Sequence, residues 1–122
     1  MLPKKRPNHP GEFIREDVLK ELLITSEQLA KAIDVTPEMI DRLIDGKERI
    51  SADMALRLSK FTRTAPQMWL NLQTTIDLWD AYHSPDFEKI KKIKPYNNIQ
   101  EKERHVGRFK AVFSSLQSKH KT

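Results

Sequence analysis

The sequence predicts an all-α protein, and three observations carry that prediction. Helix formers dominate the 122 residues, and only 3 glycines occur. Strand signals are sparse, because no run of alternating β-branched residues reaches five. Apolar residues instead recur at steps of three and four, the period of a helix with one buried face. The clearest stretch is Ser26 to Gly46, SEQLAKAIDVTPEMIDRLIDG. Leu29 and Ile33 share one face of a first helix; Ile40, Leu43 and Ile44 share one face of a second. Ala30 is the small residue that lets the two helices cross closely, and Val35 plugs the corner. Thr36 followed by Pro37 starts the second helix, as a hydroxyl cap before a ring already at helical φ. Gly46 stops it. Two helices joined by a short turn form a helix-turn-helix, whose second helix can enter the DNA major groove. A plain helical hairpin in an all-α core is the alternative.

The other elements follow the same logic. Residues 1–9, MLPKKRPNH, have two prolines and no period, and read as a flexible basic arm. Phe13, Ile14, Val18, Leu19 and Leu22 make a stripe along a helix from Pro10 to Leu23, with Glu12, Glu16 and Asp17 at its acid-favouring start. Thr25 or Ser26 caps the next helix. Ser51 caps SADMALRLSKFTR, to which Met54, Leu56, Leu58 and Phe61 contribute core. Thr64 or Ala65, before Pro66, opens a fifth helix, PQMWLNLQTTIDLWDAYH. On it Trp69, Leu72, Ile76 and Trp79 recur as an a/d-type seam, with Leu70 and Leu78 beside it, able to pack inward. The seam fits a two-fold dimer interface; intramolecular core is the alternative. Ser84-Pro85 ends that helix, so residues 10–83 form the central domain. Residues 84–122 are a basic extension: a connector, FEKIKKIK, then a helix over about 98–119. Val106, Phe109, Val112, Phe113 and Leu116 would form its apolar stripe.

Charge is unevenly placed. Residues 1–10 carry +3, residues 11–82 carry −4, and residues 83–122 carry +6, for a net charge of +5. A mildly acidic body with two basic ends suits a partner with a phosphate backbone. The absence of cysteine excludes disulfides, thiolate metal sites and a cysteine nucleophile, and fits a reducing, cytoplasmic setting. No apolar run is long enough for a transmembrane helix. The four histidines, at 9, 83, 105 and 120, are scattered. No HExxH, Gly-rich phosphate loop or Ser/His/Asp arrangement is present, so neither an enzyme nor a cofactor is expected.

Base readers should come from the first two turns of the second helix: Thr36, Pro37, Glu38, Asp41 and Arg42. Arg42 can fork onto guanine O6 and N7. Thr36 can offer a methyl to thymine or a hydroxyl to phosphate. Glu38 and Asp41 can accept from cytosine N4, against repulsion from nearby phosphates. Ser26 and Gln28, at the start of the first helix, and Lys47 and Arg49, in the loop KERI, are the phosphate candidates. For Ser26 a capping role alone is the alternative.

The block Ile50-Ser51, Met54-Ala55-Leu56-Arg57-Leu58, Pro66, Trp69-Leu70-Asn71-Leu72-Gln73 and Leu78-Trp79 resembles the HigA-type antitoxins. So does HPGEFIREDVLKEL, His9 to Leu22. These antitoxins are a branch of the Xre/Cro–C1 helix-turn-helix family once labelled virulence-associated protein I, and the likeness covers about two-thirds of the chain. The resemblance implies a five-helix, lambda-repressor-like domain that dimerises on a palindromic operator, here with an extra C-terminal helix. It also implies repression of the protein's own operon and neutralisation of a HigB-type, mRNA-cleaving toxin. A general or phage-type regulator without a toxin would share the DNA chemistry. A protein-binding module that kept the fold and lost DNA is the other alternative. The chain departs from the family at Asp34, which stands where glycine is usual. It departs also at Pro37, Glu38 and Asp41, which stand where readers are commonly polar or basic, and at Glu48, in a usually basic loop.

Overall fold

A computed structural model describes residues 3–96. All regular structure among them is helical. The chain divides into two units, Met1–Phe87 and Glu88–Thr122. In the first unit α1 (Pro10–Phe13) runs directly into a π-helical segment (Ile14–Lys20), followed by α2 (Ser26–Ile33), α3 (Pro37–Ile44), α4 (Ala52–Thr62) and α5 (Pro66–Tyr82). The five expected helical stretches are therefore present. A further short helix, α6 (Phe87–Lys91), opens the stretch read as a basic connector. The helix expected over about 98–119 lies outside the described residues.

The core forms where the apolar stripes meet. Ile14, Leu29, Ile40, Leu43, Leu58 and Trp69 are fully buried, joined by Val18, Ala30, Ile33, Met54 and Ala55. Ala30 is 1% exposed, as a close crossing of α2 and α3 requires. Trp69 meets Phe13 edge to face, with ring centroids 5.5 Å apart, a favourable geometry for two aromatic quadrupoles. The indole N–H finds Thr64 Oγ1 at 2.9 Å.

Several expectations are corrected. The helix after Pro10 is π-type over Ile14–Lys20. Its i→i+5 bonding turns each residue through less than the α-helical angle, so the stripe drifts, and Leu22 is left 50% exposed. Leu23 ends the segment at φ 56, with its side chain in solvent. On α4, Leu56 and Phe61 face outward. That helix packs through Met54, Ala55, Leu58 and Ser59 instead. Leu78 on α5 is likewise exposed.

The proposed α5 seam splits. Trp69 is 0% and Ile76 3% exposed, both covered by the chain itself, so neither offers surface to a second copy. Leu72 and Trp79 remain half-buried. The described part of the basic arm lies along α5. Arg6 grips Asp80 through Nε and Nη2 at 2.8 and 2.9 Å, and Trp79 Nε1 donates to the Pro3 carbonyl at 3.1 Å. The Arg6 hydrogen bonds hold Asp80 below the usual carboxylate range. This draws in an arm whose sequence reads as free.

Candidate nucleic-acid interface

Local sequence builds the corner. Thr25 and Gln28 form a reciprocal capping box: the Thr25 hydroxyl accepts from Gln28 N, and the Gln28 carbonyl oxygen accepts from Thr25 N. Ser26 is therefore the first helical residue, not the cap. At the far end of α2, Asp34 adopts the left-handed conformation, φ 60 and ψ 52, where glycine fits without cost. Val35 N then donates to Ala30 O at 2.9 Å, a carbonyl that Asp34 N also reaches, which closes the last turn. The chain restarts at Thr36, whose hydroxyl accepts from Met39 N at 3.2 Å, with Pro37 in the first turn.

Distant side chains lock this corner from behind. Arg57 on α4 donates from Nη1 to the carbonyls of Ile33 and Asp34, at 2.8 and 3.0 Å. Its Nε binds Asp53 at 2.7 Å, and that pairing raises its pKa further. The guanidinium thus ties the turn to α4.

The other end of α3 is held differently. The His9 ring accepts from Gly11 N and lies against Gly46, whose φ is 74. Gly11 meets the α3 backbone so closely that a Cβ there would lie 1.8 Å from Leu43 O. After Gly46, Lys47 N returns to Arg42 O at 2.8 Å. Ile50 N is then caught by Gln73 Oε1 of α5 at 2.9 Å.

These clamps leave one face of α3 outward. Thr36, Glu38, Asp41 and Arg42 are exposed, and Pro37 is half-buried. Gln28, Lys47 and Arg49 are exposed and Ser26 is half-buried. Thr36 and Arg49 share a groove of about 290 Å³ between the starts of α3 and α4, lined also by Met39 and Ser51. Both expected arginines are engaged. Arg42 bonds Glu48 through Nε at 3.1 Å and the Lys47 carbonyl through Nη2 at 3.3 Å. Arg49 forks onto Asp77 of α5 at 2.8 and 2.5 Å. This pairing raises the arginine and holds Asp77 below its ordinary 3.8, helped by Gln73.

Sequence reasoning missed Arg57, Gln73 and the His9–Gly11 pair as supports. Gln73 carried a usable signal: it stands four residues after Trp69 and three before Ile76, on the buried phase of α5. A polar side chain there needs a partner. No comparable signal marked the carbonyls that Arg57 reaches. Among the described residues no His/Cys/Asp/Glu group could hold a metal ion, and no helix is long and apolar enough to cross a membrane.

Comparison with known proteins bears on this geometry. The helix-turn-helix family matches residues 16–69. Antitoxin HigA-1 of Vibrio cholerae is 35% identical over 92 residues, covering 75% of this chain and 86% of that protein. The solved Pseudomonas aeruginosa antitoxin HigA with the higBA promoter superposes with a TM-score of 0.68 at 37% identity, over 74% of this chain and 98% of that one. Antitoxin GraA in complex with its operator gives 0.70 at 37% identity, over 80% and 99%. With a capped, outward-facing second helix on a corner of this build, the chain belongs to the HigA antitoxins, within the helix-turn-helix transcriptional regulators.

Proposed function

We propose that this protein represses its own operon by binding an operator through α3 and neutralises a HigB-type mRNA-cleaving toxin. The observation that carries the DNA reading is the fixed outward face of α3, clamped at both ends, on a fold similar to antitoxins solved with promoter and operator DNA. Thr36, Pro37 and Glu38 lie at the start of that helix and Asp41 and Arg42 one turn on, the first two turns from which base edges are read. Ser26, Gln28, Lys47 and Arg49 flank it, where phosphates run. The protein acts in the cytoplasm, with no catalytic role and no cofactor. One copy offers few contacts, so two copies bind half-sites one helical turn apart. Leu72 and Trp79, with the exposed Leu78 and Tyr82, are what α5 retains for a two-fold contact.

A second reading is favoured by one observation. The exposed face of α3 and its end carries Glu38, Asp41 and Asp45, with Arg42 already paired to Glu48. A protein-binding module that has lost DNA would look like this. Fluorescence anisotropy with DNA from upstream of the protein's own reading frame separates the two. Saturable binding, weakened by salt and lost to scrambled duplex, supports the repressor. Equal binding to both duplexes, or none, rejects it. Co-purification with the product of the neighbouring reading frame, and rescue of cells expressing that product, tests the antitoxin role.

A further inference from the structure

The 47–50 loop carries an acid where a DNA-facing loop gains nothing from one. Glu48 is nonetheless rigidly placed. Gly46 turns the chain through a positive φ, Lys47 N anchors to Arg42 O, and Ile50 N is pinned by Gln73. Glu48 Oε1 thereby meets Arg42 Nε at 3.1 Å, while the Lys47 carbonyl takes Nη2 at 3.3 Å. A planar guanidinium has five N–H donors. The two acceptors occupy its Nε/Nη2 edge. Among the described residues no acceptor takes the Nη1/Nη2 end, which presents two further parallel N–H bonds. A bidentate contact to guanine O6 and N7 needs two such parallel donors.

We infer that Glu48 is a positioning residue for base readout, fixing the Arg42 fork so that one base pair per half-site is read. This rests on the reading of α3 as the DNA-contacting helix with Arg42 as a base reader. The acid has opposite effects on two quantities. It repels phosphates, which lowers affinity for any duplex. It also restricts an otherwise mobile side chain, which sharpens the choice of base. A plain surface ion pair would change neither preference nor discrimination.

The test is a competition titration with upstream promoter DNA and a set of single base-pair substitutions across it. It compares wild type, Glu48→Ala, Glu48→Gln, Arg42→Ala and the double variant. Discrimination at the pair read by Arg42 should fall about tenfold in Glu48→Ala, while binding to unrelated duplex strengthens. Glu48→Gln, which keeps the acceptor oxygen, should recover part of the lost discrimination. Adding Glu48→Ala to Arg42→Ala should change discrimination no further. If Arg42→Ala erases a preference that Glu48→Ala leaves intact, the positioning role is overturned and base reading by Arg42 stands. If Arg42→Ala itself keeps every preference, base reading by Arg42 fails, and the role of Glu48 fails with it.

Discussion

The two ends of α3 are secured by different physics. At the N-terminal end nearly every bond is short-range. Thr36 caps Met39, Pro37 presets φ, and Val35 closes on Ala30; among the described residues it is Arg57 that hydrogen-bonds this end from afar. At the C-terminal end local bonds such as Lys47 N to Arg42 O are joined by several groups from distant sequence: Gly11 and His9 from the start of α1, and Gln73 from α5. The lesson is that the corner is encoded locally, whereas the angle at which α3 leaves it and the path of its exit loop depend on the whole domain being assembled.

That contrast can be broken most forcefully at Gly11. Gly11→Ala drives a methyl into the Leu43 carbonyl and should destabilise the fold by about 3 kcal/mol, read as a lowered urea midpoint. An unchanged midpoint would mean that α1 does not press on α3. Next comes Gln73→Leu, which keeps the volume and strands the buried Ile50 N–H. A loss of about 2 kcal/mol is expected, with faster amide exchange at Ile50 as the local signature. A loss confined to global stability, with Ile50 still protected, would show that the loop is held by something else.

At the local end the sign reverses. Asp34→Gly relieves a left-handed aspartate and should stabilise by about 1 kcal/mol, with a raised thermal midpoint. A destabilised variant would reveal that the Asp34 side chain contributes to the corner.

The smallest effect is a pH dependence. Asp77 is depressed below its unfolded value of 3.8, first by its hydrogen bonds from Arg49. A depressed carboxylate contributes stability that is fully present above the unfolded pKa and is lost as pH falls through the folded one. Wild type and Asp77→Asn should therefore differ by a constant amount from neutrality down to about pH 5 and converge below 3.8. A gap that persists under strong acid would assign the difference to packing rather than charge.

Much of the helix-turn-helix was legible because its determinants are periodic and close together. Leu29, Ile33, Ile40 and Leu43 announce their buried faces by spacing, and all four are buried. Thr36-Pro37 announces its own helix start. Elsewhere the 3.6-residue assumption misled. The π-helical winding after Phe13 turned Leu22 outward, and Leu56, Phe61 and Leu78 keep 60%, 36% and 52% of their surface exposed. The α5 seam was visible as a period, but period alone cannot say whether a face meets its own chain or another. Trp69 turned inward because Phe13 of α1 was there to receive it.

By itself, then, the sequence determined where the helical stretches of the central body lie, the Thr36 and Ser51 caps and the sharp corner between α2 and α3. These follow from backbone preferences and spacing within a few residues. The tertiary structure alone decided which charges face outward unpaired and which are held. Arg57 spends itself on α2 carbonyls, Arg49 on Asp77, Arg6 on Asp80, and Arg42 on Glu48. The physical reason is reach: a long cationic side chain finds its acceptor by distance in space, and three of these four pairings span more than twenty residues of chain.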